Sequence, residues 1–571
     1  MARAREMRAG GRKRAKGPGR PARAPGPISP PPASPGAPRE AELARLQDLL
    51  ARAPEDTRVL NNLAVTLRAL GRRDEATRHL ERARALNPDD PDINHNLGNA
   101  LGDAGRDEDA ILAYRRSLAA RPGATRTSIQ LAATLQRLGR KAEALRVTSD
   151  ALAFAPADAE LRNAHGALLY ELKRPEAALA HLDLALRLSP SLRAARANAG
   201  LAANALGLHA RIVASAREVL AREPDCPATH AQLGQALISL GQIEEARPHV
   251  EAALAAAPDD LEALMARSRL LFLAGEWEAA WPAYSVRWRR ADNPPPRTRL
   301  PRWQGEPAGD LSIFVHAEQG LGDSINFCRY LVPLAARARH VRFGCQEPLV
   351  GLLRASLPGI EVVPHPEGPG SCTHIVPLLD LPMRLGMHAP WWPGAPYLRA
   401  EGPPPLALPD DGRLAVGIAW AGNPDHGNDR FRSIAAEQLL FLAGNPRARV
   451  VSLQRQVPDS LLERIDAAGL MLDAGSRLFS FADSAAMLAR LDLVVAVDTS
   501  IAHLAGAMGK PVWMLLPAAP DWRWGIAGSA TPWYPTMRVF RQREHGDWSA
   551  PLAELAKAFE ALGAQGKPTH A

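Results

Sequence analysis

Cysteine is scarce. The 571 residues hold four, Cys226, Cys328, Cys345 and Cys372, and no two form a CxxC pair. That pattern excludes a disulfide framework and a cysteine zinc site, and it suits a reducing cytosol. Long apolar runs are also missing. No stretch of about 18 apolar residues occurs, so no membrane span is expected. The most apolar stretch, LDLVVAVDTSIAHLAGAMGKPVWMLL, is interrupted by Asp498, His503 and Lys510. Excess charge is missing from most of the chain as well. The formal +8 comes from residues 1–40, which carry ten Lys/Arg against Glu6 and Glu40 and leave 59 basic and 59 acidic residues for the rest. The pI near 9.6 therefore describes a tail, and no specific nucleic-acid partner is expected for the body. The tail, GRKRAKGPGRPARAPGPISPPPASPGAP, is too poor in apolar residues to fold and lacks the apolar core of a secretory signal. It reads either as a weak electrostatic tether or as a solvated extension.

What is present is a period. Prolines stand at 54, 88, 122, 156, 190, 224 and 258, each 34 residues from the last. Glycines keep step at 71, 105, 139, 207, 241 and 275, with Lys173 in the missing slot. Alanines fill a third column at 76, 110, 144, 178, 246 and 280, with Ile212 as its exception. A fixed period of this kind predicts a helical solenoid: Gly between two helices, small Ala where they approach, Pro where the second ends. The length, the Leu97-Gly98 and Leu233-Gly234 pairs and the Ala and Pro columns resemble the tetratricopeptide repeat (TPR) family over residues 40–290, about seven repeats. Such a stack implies a concave face for a peptide or protein partner; a spacer or dimerisation arm is the alternative. Asn61, Asn62, Asn94, Asn96, Asn163 and Asn198 fall on first helices of repeats. Of these, Asn62, Asn96, Asn163 and Asn198 are the partner-binding candidates, against capping or solvent-facing roles. Trp277, Trp281, Tyr284 and Trp288 share one helix face and read as a packing seam. Residues 291–309 follow as a Pro-rich linker.

From residue 311 the pattern alternates. LSIFVHA, HVRFGC and IEVVPH read as strands, with INFCRYLVPLAARA and PLVGLLRASL as helices. A second unit opens at LAVGIAWAGNP and runs through ARVVSLQ and LDLVVAV to PVWMLL. Strands separated by helices imply parallel sheets, hence two Rossmann-like lobes, placed at 310–400 and 410–571 after a 1–39 tail. Ligands in such sheets bind beyond the strands' carboxyl ends. Asp498-Thr499-Ser500 stands at one such end and opens a helix. Free N–H groups and the helix dipole there favour an anion, and a diphosphate is the natural occupant. Plain N-capping accounts for Asp-Thr-Ser too, but not for His503 one turn on. GLGDS is not a GxGxxG fingerprint.

AVDTSIAHLAGAMGKPVWMLLP resembles the nucleotide-sugar-binding segment of GT-B glycosyltransferases of the bacterial heptosyltransferase group (glycosyltransferase family 9). EQGLGDSINFCRYLVPL resembles that group's N-lobe loop. GIAWAGNPDHGNDRFRSI and PDWRWG…PWYPTMRVF resemble bacterial proteins that join TPR arrays to such a domain. The resemblance implies an all-α TPR solenoid followed by an α/β GT-B domain. Asp323 would be the catalytic base on the acceptor hydroxyl, or else a helix cap. Asp498, Thr499, Ser500, His503, Arg432, Asn423, Gln454, Gly320 and Gly322 would bind the nucleotide sugar, with Arg430 as a competitor to Arg432. Asp521 and Arg523 are further cleft candidates, and Trp522 and Trp524 read as packing.

No Asp-x-Asp motif follows residue 290, which fits the metal-independent chemistry of GT-B enzymes. No cofactor is implied beyond the nucleotide diphosphate sugar as donor. The expected function is an inverting, cytoplasmic glycosyltransferase whose TPR groove recruits a protein acceptor, with flagellin or another surface subunit implied by analogy. The alternatives are a TPR adaptor with a degenerate GT-B domain and an enzyme acting on lipopolysaccharide or a lipid-linked sugar. Donor, acceptor residue and oligomeric state stay open.

Overall fold

The computed structural model describes residues 37–565 except 291, 292, 295, 297, 425–428, 459, 462, 464–468 and 470. The basic tail lies almost wholly outside the described residues. The chain divides into two compact units, Met1–Leu168 and Leu169–Ala571.

The first unit is built from paired helices, beginning with Ala37–Arg52, Thr57–Ala69 and Arg73–Leu86. Asp56 and Asp90 cap first helices by accepting backbone N–H bonds, which supplies partners that a helix start lacks. Between the helices of a pair, Gly71 takes φ +80°. Arg72 then donates its N–H to Leu67 O, closing a Schellman turn. Gly98 is small for a different reason: a Cβ there would strike the Tyr114 ring of the next helix.

In the second unit the repeats continue from Pro175–Leu188 to Trp277–Tyr284. Lys173 occupies the empty glycine slot and takes the same left-handed backbone, φ +61°. The turn is thus dictated by its place between helices, whichever residue fills it. Two parallel sheets follow. Strands β1 (Ser312–His316), β2 (His340–Cys345), β3 (Glu361–Pro364) and β4 (His374–Pro377) are ordered β3-β2-β1-β4. Strands β5 (Leu414–Ala419), β6 (Ala448–Ser452), β7 (Leu472–Asp473), β8 (Leu493–Val497), β9 (Val512–Leu516) and β10 (Met537–Arg541) are ordered β10-β9-β8-β5-β6-β7. All their ladder pairings are parallel. β8 is buried along its whole length, as a central strand covered on both faces requires. In each sheet the chain reverses its direction of travel beside the first strand, at β1/β4 and at β5/β8. Crevices form at such switch points.

One sequence expectation needs correction. Residues 325–338 do not form a single amphipathic helix. Leu321–Phe327 is α-helical, Cys328–Tyr330 tightens to a 3₁₀ turn and Leu331–Ala335 is α-helical again. Pro333 has no N–H with which to continue the ladder, and Arg329 in the tight turn is fully buried. Its guanidinium donates to Trp391 O, Trp533 O and the Tyr397 hydroxyl at 2.8–2.9 Å. The aromatic seam is a core. Trp522 stacks on Phe272 with centroids 3.9 Å apart, and Trp281 packs edge-on against Phe272 and Phe327. Trp281 Nε1 donates to His388 O at 2.7 Å, so the last repeat is built into the same hydrophobic cluster as both sheets.

Candidate active site

A cavity of about 950 Å³ opens at the carboxyl ends of β1, β2, β5, β6, β8 and β9. Every lobe residue expected to bind donor or act as base lines it: Gly320, Gly322, Asp323, Asn423, Arg432, Gln454, Asp498, Thr499, Ser500 and His503. Arg432 and Arg430 part company. Arg432 lines the cavity and donates to Asp498 O at 3.0 Å and to Asp429 Oδ1 at 3.1 Å. Arg430 instead pairs with Glu176 of the repeats at 3.0 Å.

β8 ends at Val497, and the helix Ser500–Ala507 starts three residues later. Thr499 holds the N-cap position with extended backbone but makes no side-chain cap bond. Its Oγ1 is buried with no partner among the described residues. Simple N-capping therefore does not account for it. A buried hydroxyl without a partner costs free energy unless something enters to bond it.

His503 was expected to help hold a diphosphate at this helix end. Its Nδ1 faces the Tyr534 hydroxyl at 2.9 Å, while Nε2 lies 3.9 Å from Asp498 Oδ1. Burial, then the nearby Arg523, push its pKa down to about 3, so the ring is neutral. Gly322 owes its identity to this ring. A Cβ there would lie 2.9 Å from His503 Cδ2, so only glycine lets the Leu321–Phe327 and Ser500–Ala507 helices approach. Gln454 spends its Oε1 on the Ala421 N–H at 3.1 Å, bracing the loop after β5.

Asp323 makes the helix-start contact foreseen as one of its two roles. Its Oδ2 accepts the Gly320 N–H at 2.9 Å, and Oδ1 pairs with Arg523. Arg523 also pairs with Asp521 at 2.7 Å, so one guanidinium joins the N-lobe acid to the C-lobe loop. Burial opposes the Arg523 charge, but Asp521 and Asp323 outweigh it and hold the group protonated. Beside Asp323, Gln319 sits in the left-handed region at φ +62° and donates to the Tyr284 hydroxyl at 2.8 Å.

Asp498 is the unusual acid. Burial, reinforced by Asp521, raises its pKa from 3.8 to about 6, against the pull of Arg432 and Arg523. A raised carboxyl pKa means stability that is full below the unfolded value and lost as pH climbs through about 6. Asp498→Asn is therefore expected to raise the melting temperature at pH 8 and to leave it nearly unchanged near pH 4. The upper limit on the gain is about 3 kcal/mol. Thermal melts of both proteins at the two pH values check this.

The repeats also line the cavity, through Asn204, His209, Gln235, Ser239 and Arg269. Sequence reasoning missed them because nothing in a 34-residue period says which turn faces a distant lobe. Tyr534 was missed because its contact is remote in sequence: its hydroxyl receives Asn326 Nδ2 at 2.9 Å across 208 residues.

None of the repeat asparagines singled out from the sequence is among the residues that line the cavity. Asn62 is exposed. Asn96, 34 residues on, is half-buried and donates to Asn61 Oδ1 at 2.8 Å. Asn163 and Asn198 are half-buried on the helices Ala159–Glu171 and Arg193–Ala205. Asn94 is a turn brace: fully buried, it donates to Pro88 O at 2.7 Å and Asp90 O at 2.9 Å.

Comparison with known proteins agrees with this architecture. The tetratricopeptide repeat family matches residues 55–123 and 203–270. Glycosyltransferase family 9 (heptosyltransferase) matches residues 478–546, a span that holds Asp498–His503, Asp521 and Arg523 but not Asp323 or Arg432. FlbA of Caulobacter vibrioides is 27% identical over 366 residues, 57% of this chain and 59% of FlbA. The chain thus spans under two thirds of that relative's length. Among solved structures, a tetratricopeptide repeat protein from Parabacteroides merdae is 16% identical with a TM-score of 0.35, covering 40% of this chain and 91% of that one. YrrB, described as a TPR protein with an unusual peptide-binding site, is 18% identical with a TM-score of 0.27, covering 39% and 97%. Likenesses at these scores carry no argument. The chain joins N-terminal tetratricopeptide repeats to a C-terminal domain of the glycosyltransferase family 9 (heptosyltransferase) type.

Proposed function

We propose that the protein is an inverting glycosyltransferase that moves a sugar from a nucleotide diphosphate sugar to a hydroxyl of a protein acceptor. The observation that carries this reading is the end of β8. There a helix N-terminus, the partnerless Thr499 Oγ1, Ser500 and the Arg432 guanidinium meet in the cavity. Such a set of donors and one cation matches a diphosphate. Asp323 faces the same cavity from the other lobe.

In the reaction, the acceptor oxygen attacks the anomeric carbon while the bond from that carbon to the diphosphate oxygen breaks. The acceptor proton passes to the Asp323 carboxylate. The nucleoside diphosphate leaves with the bond's electron pair, and its growing charge is met by the Ser500 and Ile501 N–H groups, the hydroxyls and Arg432. In this reading these groups do the work for which other transferases use a cation. Gly320 N–H and Arg523 orient Asp323. The repeats favour a polypeptide acceptor, because stacked helical repeats present extended binding surfaces. The free thiols suit a cytoplasmic setting.

The test is thermal stability of the full chain with UDP, GDP, ADP, CDP and TDP in excess chelator. One nucleotide is expected to raise the melting temperature, and Ser500→Ala combined with Arg432→Ala to lose that rise. If a folded chain responds to none of them, the reading fails in favour of a non-catalytic TPR adaptor.

A further inference from the structure

We infer that the repeats supply part of the acceptor site itself, and that Arg269 there binds an acidic side chain beside the acceptor hydroxyl. The inference rests on the transferase reading above. Arg269 lies on the repeat helix Leu261–Leu273, lines the cavity, and is only half-buried. Its guanidinium donates to Ser239 Oγ at 3.2 Å and to Pro520 O at 3.4 Å. Among the described residues, three of its five N–H donors have no protein partner and no carboxylate lies within ion-pair distance. Asp521, the acid next to Pro520, is taken by Arg523. Of the other cavity arginines, Arg523 is committed to two carboxylates and Arg432 to Asp429 and the β8 end, whereas Arg455 is exposed on the loop after β6.

Burial works against the Arg269 charge, while the one charge among the described residues that acts on it, Asp521, lies beyond ion-pair distance and is bonded to Arg523; a cavity-facing cation so placed is a site for an anion. The contacts place it on the acceptor side. From Arg269 they run to Pro520, through the adjoining Asp521 to Arg523, and from Arg523 to Asp323. The donor end, by contrast, is marked by Arg432 and Ser500. Gln235 stands 34 residues before Arg269, at the same place in the preceding repeat, and lines the same cavity. Two successive repeats thus present a polar wall to a chain that crosses from the repeats to Asp323. A carboxylate meeting Arg269 makes a charge-assisted bond, which fits a Ser- or Thr-containing segment flanked by Asp or Glu.

The test uses the immobilised full chain and three pools of short Ser/Thr-centred peptides, flanked by Asp/Glu, by Asn/Gln or by Lys/Arg. Retention is read by mass spectrometry. The acidic pool is expected to be held about tenfold better than the neutral one. Arg269→Gln should erase that preference and Arg269→Lys should keep part of it. Equal retention of the neutral pool, or an acidic preference that survives Arg269→Gln, overturns the inference. So does weaker nucleoside diphosphate binding by Arg269→Gln, which would assign the cation to the donor. The nucleotide response of the unmutated chain reports separately on the transferase reading, so the two can fail independently.

Discussion

Asp323→Asn is expected to slow sugar transfer by about 10²–10⁴-fold while leaving nucleoside diphosphate binding within a factor of a few. Asparagine keeps the size of the side chain and still accepts the Gly320 N–H, so the start of the Leu321–Phe327 helix survives. What it loses is the ability to take a proton from the attacking hydroxyl. A merely structural Asp323 behaves differently. Losing its pair with Arg523 would free Arg523 toward Asp521 and disturb the loop that follows β9, and nucleotide binding would fall with the rate. Release of nucleoside diphosphate under single-turnover conditions, set beside the binding constant, separates the two. Equal rates for variant and parent would remove Asp323 from the chemistry.

The second large effect is expected in stability. Arg287 leaves the 3₁₀ turn after the last repeat and enters the N-lobe, where Glu318 and Asp380 receive it at 2.6–2.8 Å. All three side chains are at most 6% exposed. Burial drives the Glu318 carboxyl upward against the pull of Arg287. Arg287→Met would strand two carboxylates in a dry core, a loss of about 3–5 kcal/mol. The loss should shrink as pH falls, because protonation removes the stranded charge. Pairing Arg287→Met with Glu318→Gln should recover much of it. Denaturation curves at pH 5 and pH 8 check all three expectations. Arg287→Met melting like the parent at pH 8 would show that the triad contributes little.

The architecture was legible because its signals are local. The 34-residue columns of Pro, Gly and Ala record a turn and a close helix approach repeated in every unit, and the structure places left-handed backbone in each glycine slot, Lys173 included. LDLVVAV and PVWMLL read as buried strands and are β8 and β9. Strand ends also gave the neighbourhood of the cavity, since a parallel sheet gathers its carboxyl ends whatever the loops contain. Roles were harder to read than places. Gly322 is fixed by the His503 ring, about 180 residues away, and His503 is neutralised by burial that no neighbouring residue announces. Likewise, Arg329 among four aromatic rings is an ordinary surface residue until Trp392, Tyr397, Trp533 and Tyr534 fold around it. The wall of Gln235, Ser239 and Arg269 was invisible because a repeat's sequence does not state which partner its faces meet.

In the proposed reaction the β8 end holds the diphosphate of a sugar nucleotide. Calorimetric titration of the full chain, in chelator, with a nucleoside and with its diphosphate tests it most directly. The diphosphate of one base is expected to bind at least about tenfold more tightly than the free nucleoside, as one extra charge-assisted contact requires. Ser500→Ala with Arg432→Ala is expected to abolish the difference. Equal binding of nucleoside and diphosphate, or a preference untouched by those substitutions, would contradict it.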